Sequence, residues 1–408
     1  MLLAVSLMAS ATTMAQTTGA PLVLEAKIPL GQVNGRIDHL GIDLKRQRLL
    51  VAELGNDSLG VVDLAAGKVL RTITGMSEPQ GVAYIPFADS VYVANGGDGS
   101  ARILRGEDLA PIGRIELGND ADNVRVDASR GQVLVGYGKG ALAVIDPARR
   151  TKAADIRLKG HPEGFQLDDT GARVFVNVPD ARAIEIVDLA SQASRSLPTQ
   201  GAASNFPMAL DRDAHRVLVV FRSPPTLMAL SSEDGRALTK IGTCGDADDV
   251  FVDPKRHRVY VSCGEGVIDV LEQREAEYRR VARVPTVSGA RTSLFVPELD
   301  RLFVAVRARS NEPAAIWVFR PVPCGSAASR RWFLQWSLLA GAGLRRPIVH
   351  STARMRPSRK RARWKSSSAR SSTFATEPIA PCSLPILGSI TVLPTAGKHR
   401  WRATPLTV

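Results

Sequence analysis

Three columns of chemically active side chains recur along this 408-residue chain. The first is Asp38, Gln80, Asp122, Glu163, Phe206, Asp248 and Thr292. Two residues upstream of these lie Arg36, Glu78, Asp120, His161, Ser204, Asp246 and Ala290. One residue downstream lie His39, Gly81, Asn123, Gly164, Pro207, Asp249 and Ser293. Carboxylate and amide oxygens suit a hard divalent cation, so Asp122, Asn123, Glu163 and Asp248 are candidate ligands for Ca²⁺ or Mg²⁺. An imidazole with its ordinary pKa near 6.5 is a candidate general base, which nominates His39 and His161. Acids gathered at one opening would repel one another unless a guanidinium, a cation or a ligand met them. The candidate ligand-binding set is therefore Arg36, Asp38, His39, Gln80, Asp122, Asn123, Arg125, His161, Glu163, Asp248 and Arg291, with Gln166 beside it. The bland alternative is that these polar residues bond nearby backbone and hold loops in place.

The columns converge only if the elements carrying them are arranged around one point, and a repeat supplies that arrangement. Asp43, Asp127, Asp168, Asp211 and Asp253 mark a beat, with Ile85 and Pro297 in the two remaining slots, at intervals of 41 to 44 residues. The polar columns lie four, five and seven residues before each beat. Each unit reads as four short strands separated by turns. In the third unit these are Val124–Val126, Val133–Val135, Leu142–Ile145 and Ile156–Leu158, bounded by Asp and Gly. An Asp at the end of a strand favours a turn by accepting a backbone N–H two residues on. The second strands, such as Leu49–Ala52 and Val217–Val220, lack polar alternation, as expected for strands buried on both faces. No helical periodicity intervenes. Seven four-stranded units predict an all-β, seven-bladed β-propeller. A β-sandwich would have no reason to repeat at one period. The seventh unit lacks a fourth strand, and Leu22–Leu30 resembles one. It is expected to close the ring as the outer strand of the last blade, which leaves no unpaired edge there.

Val91-Tyr92-Val93-Ala94-Asn95 matches the signature of the YVTN-repeat, YncE-like β-propellers, within the quinoprotein amine dehydrogenase-like superfamily. No Trp-Asp pairs end the blades, so the chain does not resemble WD-repeat proteins. The resemblance covers roughly residues 22–320 and implies a recognition module. Propellers host many activities on one scaffold, so the fold alone names none.

The chain divides into three parts. Residues 1–15 resemble a signal peptide, with Thr13-Met14-Ala15 as a cleavage site but no basic start. That predicts a periplasmic or secreted protein. Residues 16–323 form the propeller. Residues 324–408 carry 15 Lys and Arg against one acid, Glu377, so the whole +13 charge of the chain belongs there. Three readings compete for this tail. A basic, Trp-bearing arm could bind nucleic acid. Trp332–Leu344 could touch a membrane but is too short to cross one. The favoured reading is a disordered or frameshifted, non-native extension. No transmembrane segment is expected.

Cys244 and Cys263 flank the first two strands of the sixth unit on one face, so a disulfide between them is expected. Cys324 and Cys382 fall in the tail, and no CxxC spacing suggests zinc. Gly96-Gly97-Asp98-Gly99 reads as a hairpin turn, since no helix follows to hold a phosphate. No nucleophile elbow, P-loop or HExxH motif is present. The first expectation is an exported scaffold that binds a small molecule or protein at the channel mouth. The second is a divalent-metal-dependent lactonase, hydrolase or lyase. The third is a propeller subunit of a redox complex.

Overall fold

The computed structural model describes residues 19–168 and 170–323. The signal-peptide-like segment, the basic tail and the two tail cysteines lie outside the described residues. Seven four-stranded antiparallel sheets follow one another in the described chain. The first runs Leu40–Asp43, Arg48–Glu53, Ser58–Asp63 and Lys68–Thr74, from the axis outward. The third begins with Ala121–Asp127 and ends with Thr151–Arg157, so its outer strand starts five residues before the run that alternation marked. Five single 3₁₀ turns are the only helical elements among the described residues.

Each sheet packs its two faces against two neighbours. In the first blade, Leu49, Leu50, Val51 and Ala52 are all fully buried. Leu50 and Ala52 join Val82, Val91 and Val93 of the second blade. Leu49 and Val51 face the other way and join Phe303, Ala305 and Ile316 of the seventh. Seven such clusters occupy the seven gaps between adjacent blades. That accounts for the uninterrupted apolar runs: both faces of these strands meet side chains rather than water.

The ring closes as expected. Leu22–Gly31 pairs antiparallel with Ala314–Pro321 as the outer strand of the last blade. Ile28 and Leu30 then enter the core between the seventh and first blades. Glu25 anchors the strand through Arg301 at 2.6 Å and through Arg320. Cys244 and Cys263 are bridged. Closing a loop of that length stabilises by about 3 kcal/mol in the chain-entropy account.

The repeated Asp has a structural task at the opposite end of the inner strand from the mouth. Its carboxylate accepts the backbone N–H three residues on, not two: Arg46 to Asp43 at 3.1 Å, Arg130 to Asp127 at 3.1 Å, and Ala214 to Asp211 at 3.2 Å. In three blades the arginine three residues on also reaches across to the next blade. Arg130 binds Asp127 and the Gly171 carbonyl. Arg46 binds Asp43 and both oxygens of Asp89. Arg256 binds Asp253 and both oxygens of Asp300.

Removing residues 21–30 should leave an aggregating protein that lacks the parent's cooperative melt, as read by calorimetry and light scattering. A truncation that melts like the parent would remove the closure. The Arg256 guanidinium holds the Asp300 carboxyl down at about 2, below the ordinary value. A depressed carboxyl adds stability above its unfolded pKa near 3.9 and loses it as pH falls through 2. Asp300→Asn should therefore melt about 2 °C below the parent at pH 6, after solvent screening of this half-buried pair. The two melting temperatures should converge towards pH 2.

Candidate functional site

The leading ends of the inner strands meet at one mouth of the central channel. Asp38, Gln80, Asp122, Glu163, Phe206 and Asp248 all line one cavity there. Arg36, His39, Asp120, His161, Arg222 and Arg291 complete its wall. Six of the seven residues in the first column thus converge, each from a different blade. The exception is Thr292, which is buried and donates to the Ile37 carbonyl at 3.3 Å.

Local backbone irregularity aims these side chains. The inner strands of blades two, three, five and six each slip register against the second strand, at Pro79/Val82, Ala121/Val124, Asn205/Met208 and Ala247/Asp249. Gln80, Asp122, Phe206 and Asp248 lie inside those slips. A bulge bends its strand and redirects a side chain. In blades one and four the regular strand begins later, at Leu40 and Phe165. There the mouth residues are pinned by single bonds, Asp38 N–H to the Ala52 carbonyl at 2.8 Å and Glu163 N–H to that of Asn177 at 2.9 Å. Neighbouring inner strands approach so closely that a Cβ at Gly81 would collide with the Asp122 carbonyl.

The upstream column has a different origin in most blades. Glu78, Asp120, Ser204 and Asp246 all have left-handed φ values, between 45° and 59°. Short polar side chains tolerate that region better than bulky ones. At Asp120 and Asp246 the left-handed backbone and the side-chain contacts at the mouth coincide, since Asp120 accepts from Gln80 and Asp246 from Arg291.

Charge is segregated around the mouth. On the side of blades five to seven and one, Arg36 Nη2 donates to Asp38 Oδ2 at 2.6 Å. Arg222 binds Asp248 and stacks on Phe206, with its guanidinium carbon 3.9 Å from the ring centroid. Arg291 donates to Asp246 at 2.8 Å. Its Nε also lies 2.8 Å from Asp248 Oδ2, an ion pair without hydrogen-bond alignment. On the side of blades two to four stand Gln80, Asp120, Asp122, His161 and Glu163. Gln80 donates to Asp120 at 3.1 Å.

His39 sits between the two halves. Its Nδ1 is 3.7 Å from Asp249, and its Nε2 is 3.9 Å from Asp38 and 4.0 Å from Asp122. Burial alone would depress this imidazolium. The nearby carboxylate of Asp249, with those of Asp38 and Asp122, outweighs it and pushes the group up to about 10. So high a proton affinity suits His39 to offset the three carboxylates around it more than to serve as the general base nominated from sequence. Burial raises Asp122 to about 7, helped by the charge of Glu163. Burial likewise raises Glu163 to about 7, helped by that of Asp248.

The four oxygen donors expected to hold a hard cation do not form one group. Asp248 is taken by Arg222 and Arg291. Asn123 is buried and does not line the cavity. The group that does gather is Asp122, His161 and Glu163, whose donor atoms lie within 4.8 Å of one another. Arg125 and Gln166 also lie off the cavity. They donate to the next blade's carbonyls, Phe165 at 3.0 Å and Met208 at 3.0 Å, and so join inner strands together. Sequence reasoning missed Arg222. Its signal was a lone arginine directly after the buried run Val217–Phe221, at the mouth end of a second strand.

No family model and no curated protein matches this chain. Among solved structures it is similar to Kuenenia stuttgartiensis hydrazine synthase, with a TM-score of 0.59 at 16% identity over 71% of this chain and 97% of that one. It is similar to a chain of the mitotic checkpoint complex, with a TM-score of 0.64 at 13% identity over 79% and 99%. A third neighbour is the RRP9 WD40 repeat structure, with a TM-score of 0.62 at 9% identity over 74% and 97%. At these identities the likeness establishes the propeller fold and no activity.

Asp248 neutralises two guanidinium groups at once. Asp248→Asn should lower stability by about 2–3 kcal/mol in urea unfolding at pH 7. Gln80→Ala, on the exposed side, should change it by less than about 0.5 kcal/mol. Equal effects would remove Asp248 from its keystone position.

Proposed function

We propose that this chain is an exported binding propeller of the YVTN-repeat, YncE-like kind. It captures a small, strongly polar ligand, or a charged group of a partner, at the channel mouth. The observation that carries this reading is the segregation of charge around one cavity, guanidinium groups on one side and unpaired carboxylates on the other. Such a lining, polar but for Phe206, complements a ligand bearing an anionic group. The repeated strand motifs support the family, and the bridged cysteines support an oxidising compartment.

One observation favours a second reading, a metal-dependent lactonase, hydrolase or lyase: the acid and imidazole cluster at Asp122, His161 and Glu163. Chelator-sensitive lactone turnover lost in Glu163→Gln would establish it over simple capture.

Melting curves with succinate, glutamate, inorganic phosphate and glucose test the binding reading. At least one anionic probe should raise the parent's melting temperature by about 2 °C or more. The rise should vanish in Arg36→Ala, whose side chain is half exposed and, among the described residues, pairs only with Asp38. Silence of all probes, or a rise that survives Arg36→Ala, would overturn it.

A further inference from the structure

Three carboxylates at the mouth, Asp120, Asp122 and Glu163, have no guanidinium partner among the described residues. Asp38 has Arg36, and Asp248 has Arg222 and Arg291. Asp120 is half exposed and takes a hydrogen bond from Gln80. Asp122 and Glu163 have neither compensation. The Glu163 carboxylate makes no hydrogen bond or ion pair with protein among the described residues. The nearest cation to Asp122 is His39, at 4.0 Å. Two like charges held together in a half-enclosed site call for a positive charge between them.

Two further observations point to a ligand there. Asp122 is only 5% exposed, and its Oδ1 is sealed from solvent without a hydrogen-bond partner. A buried acceptor left empty costs about 1–3 kcal/mol unless something occupies it. His161, the third member, is oriented by the backbone. Its Nδ1 lies 2.6 Å from the Gly138 carbonyl, which only accepts, so Nδ1 carries the proton. That leaves the Nε2 lone pair free. A histidine bound to metal is commonly held this way, with its other ring nitrogen donating to a carbonyl.

We propose that Asp122, His161 and Glu163 bind one divalent transition-metal ion of the zinc or manganese class, with coordination positions open to the cavity. An imidazole beside two carboxylates suits those ions better than the all-oxygen Ca²⁺ or Mg²⁺ expected from sequence. Three protein ligands leave room for water or an incoming ligand atom. The ion would share the cavity with Arg36, Arg222 and Arg291, so an anionic group entering the mouth meets several positive charges. The inference deepens the binding reading and rests on it for the identity of what enters.

Calorimetric titration of the full chain, freed of metal by chelator, tests it with Zn²⁺, Mn²⁺, Ca²⁺ and Mg²⁺. One site per chain should bind Zn²⁺ or Mn²⁺ at least tenfold more tightly than Ca²⁺ or Mg²⁺. His161→Ala and Glu163→Gln should each weaken it about 100-fold or more. The metal should raise the parent's melting temperature but not theirs. Metal-free variants should melt with the metal-free parent, which shows that they fold. No Zn²⁺ or Mn²⁺ site, unchanged affinity in either variant, or preference for Ca²⁺ or Mg²⁺ would overturn the assignment. An Arg36-dependent response to anionic probes that persists in chelated protein would leave the binding reading standing while the metal site falls. Loss of both would remove both.

Discussion

Burial of every second strand on both faces is the constraint from which the molecule follows. A strand such as Arg48–Glu53 has no solvent side, so a sheet must lie against each face. That condition can be met for all seven only if the row of sheets bends round and the last meets the first. Closure is thus an obligation of the packing rather than an addition to it, and Leu22–Gly31 discharges it. Once the ring is closed, the inner strands lie so near the axis that bulky residues have no room at places such as Gly81 and Gly164. What remains at their leading ends is polar and shared.

The mouth is an electrostatic consequence of that geometry. Carboxylates from blades one, three, four and six are brought together whether or not their charges agree. Guanidinium groups from the first, fifth and seventh blades answer those on one side. His39, held as an imidazolium by three surrounding carboxylates, answers part of the remainder. Asp122 and Glu163 keep a surplus that burial expresses as raised proton affinity. The uneven neutralisation, rather than the number of acids, distinguishes one wall of the cavity from the other.

Much of this was legible in the chain before any coordinates. Periodicity exposes the blade count because each blade repeats the same burial demand. The leading column, Asp38 through Asp248, points inward because inner strands of a propeller have nowhere else to point. Other features depend on geometry that spacing does not carry. That Glu78 and Asp246 sit on a left-handed backbone is a matter of φ, which sequence does not display. Which acid pairs with which base depends on contacts across blades, so Asp248 could not be separated from Asp122 in advance. Arg222 belongs to a second strand of one blade, breaks no repeat rule, and emerged only when its reach over Phe206 was seen. The family resemblance, read from Val91–Asn95, has no matching family model beside it.

The closing strand also sets a schedule for biosynthesis. Leu22 leaves the ribosome among the first residues of the domain, yet its partner Pro321 is made about three hundred residues later. Through that interval the first blade shows one apolar face to solvent and the opening strand has no mate. The nascent chain therefore waits, vulnerable to self-association, for a contact of extreme sequence separation. The same pairing that removes the edge from the finished molecule cannot form until the chain has been made through Pro321.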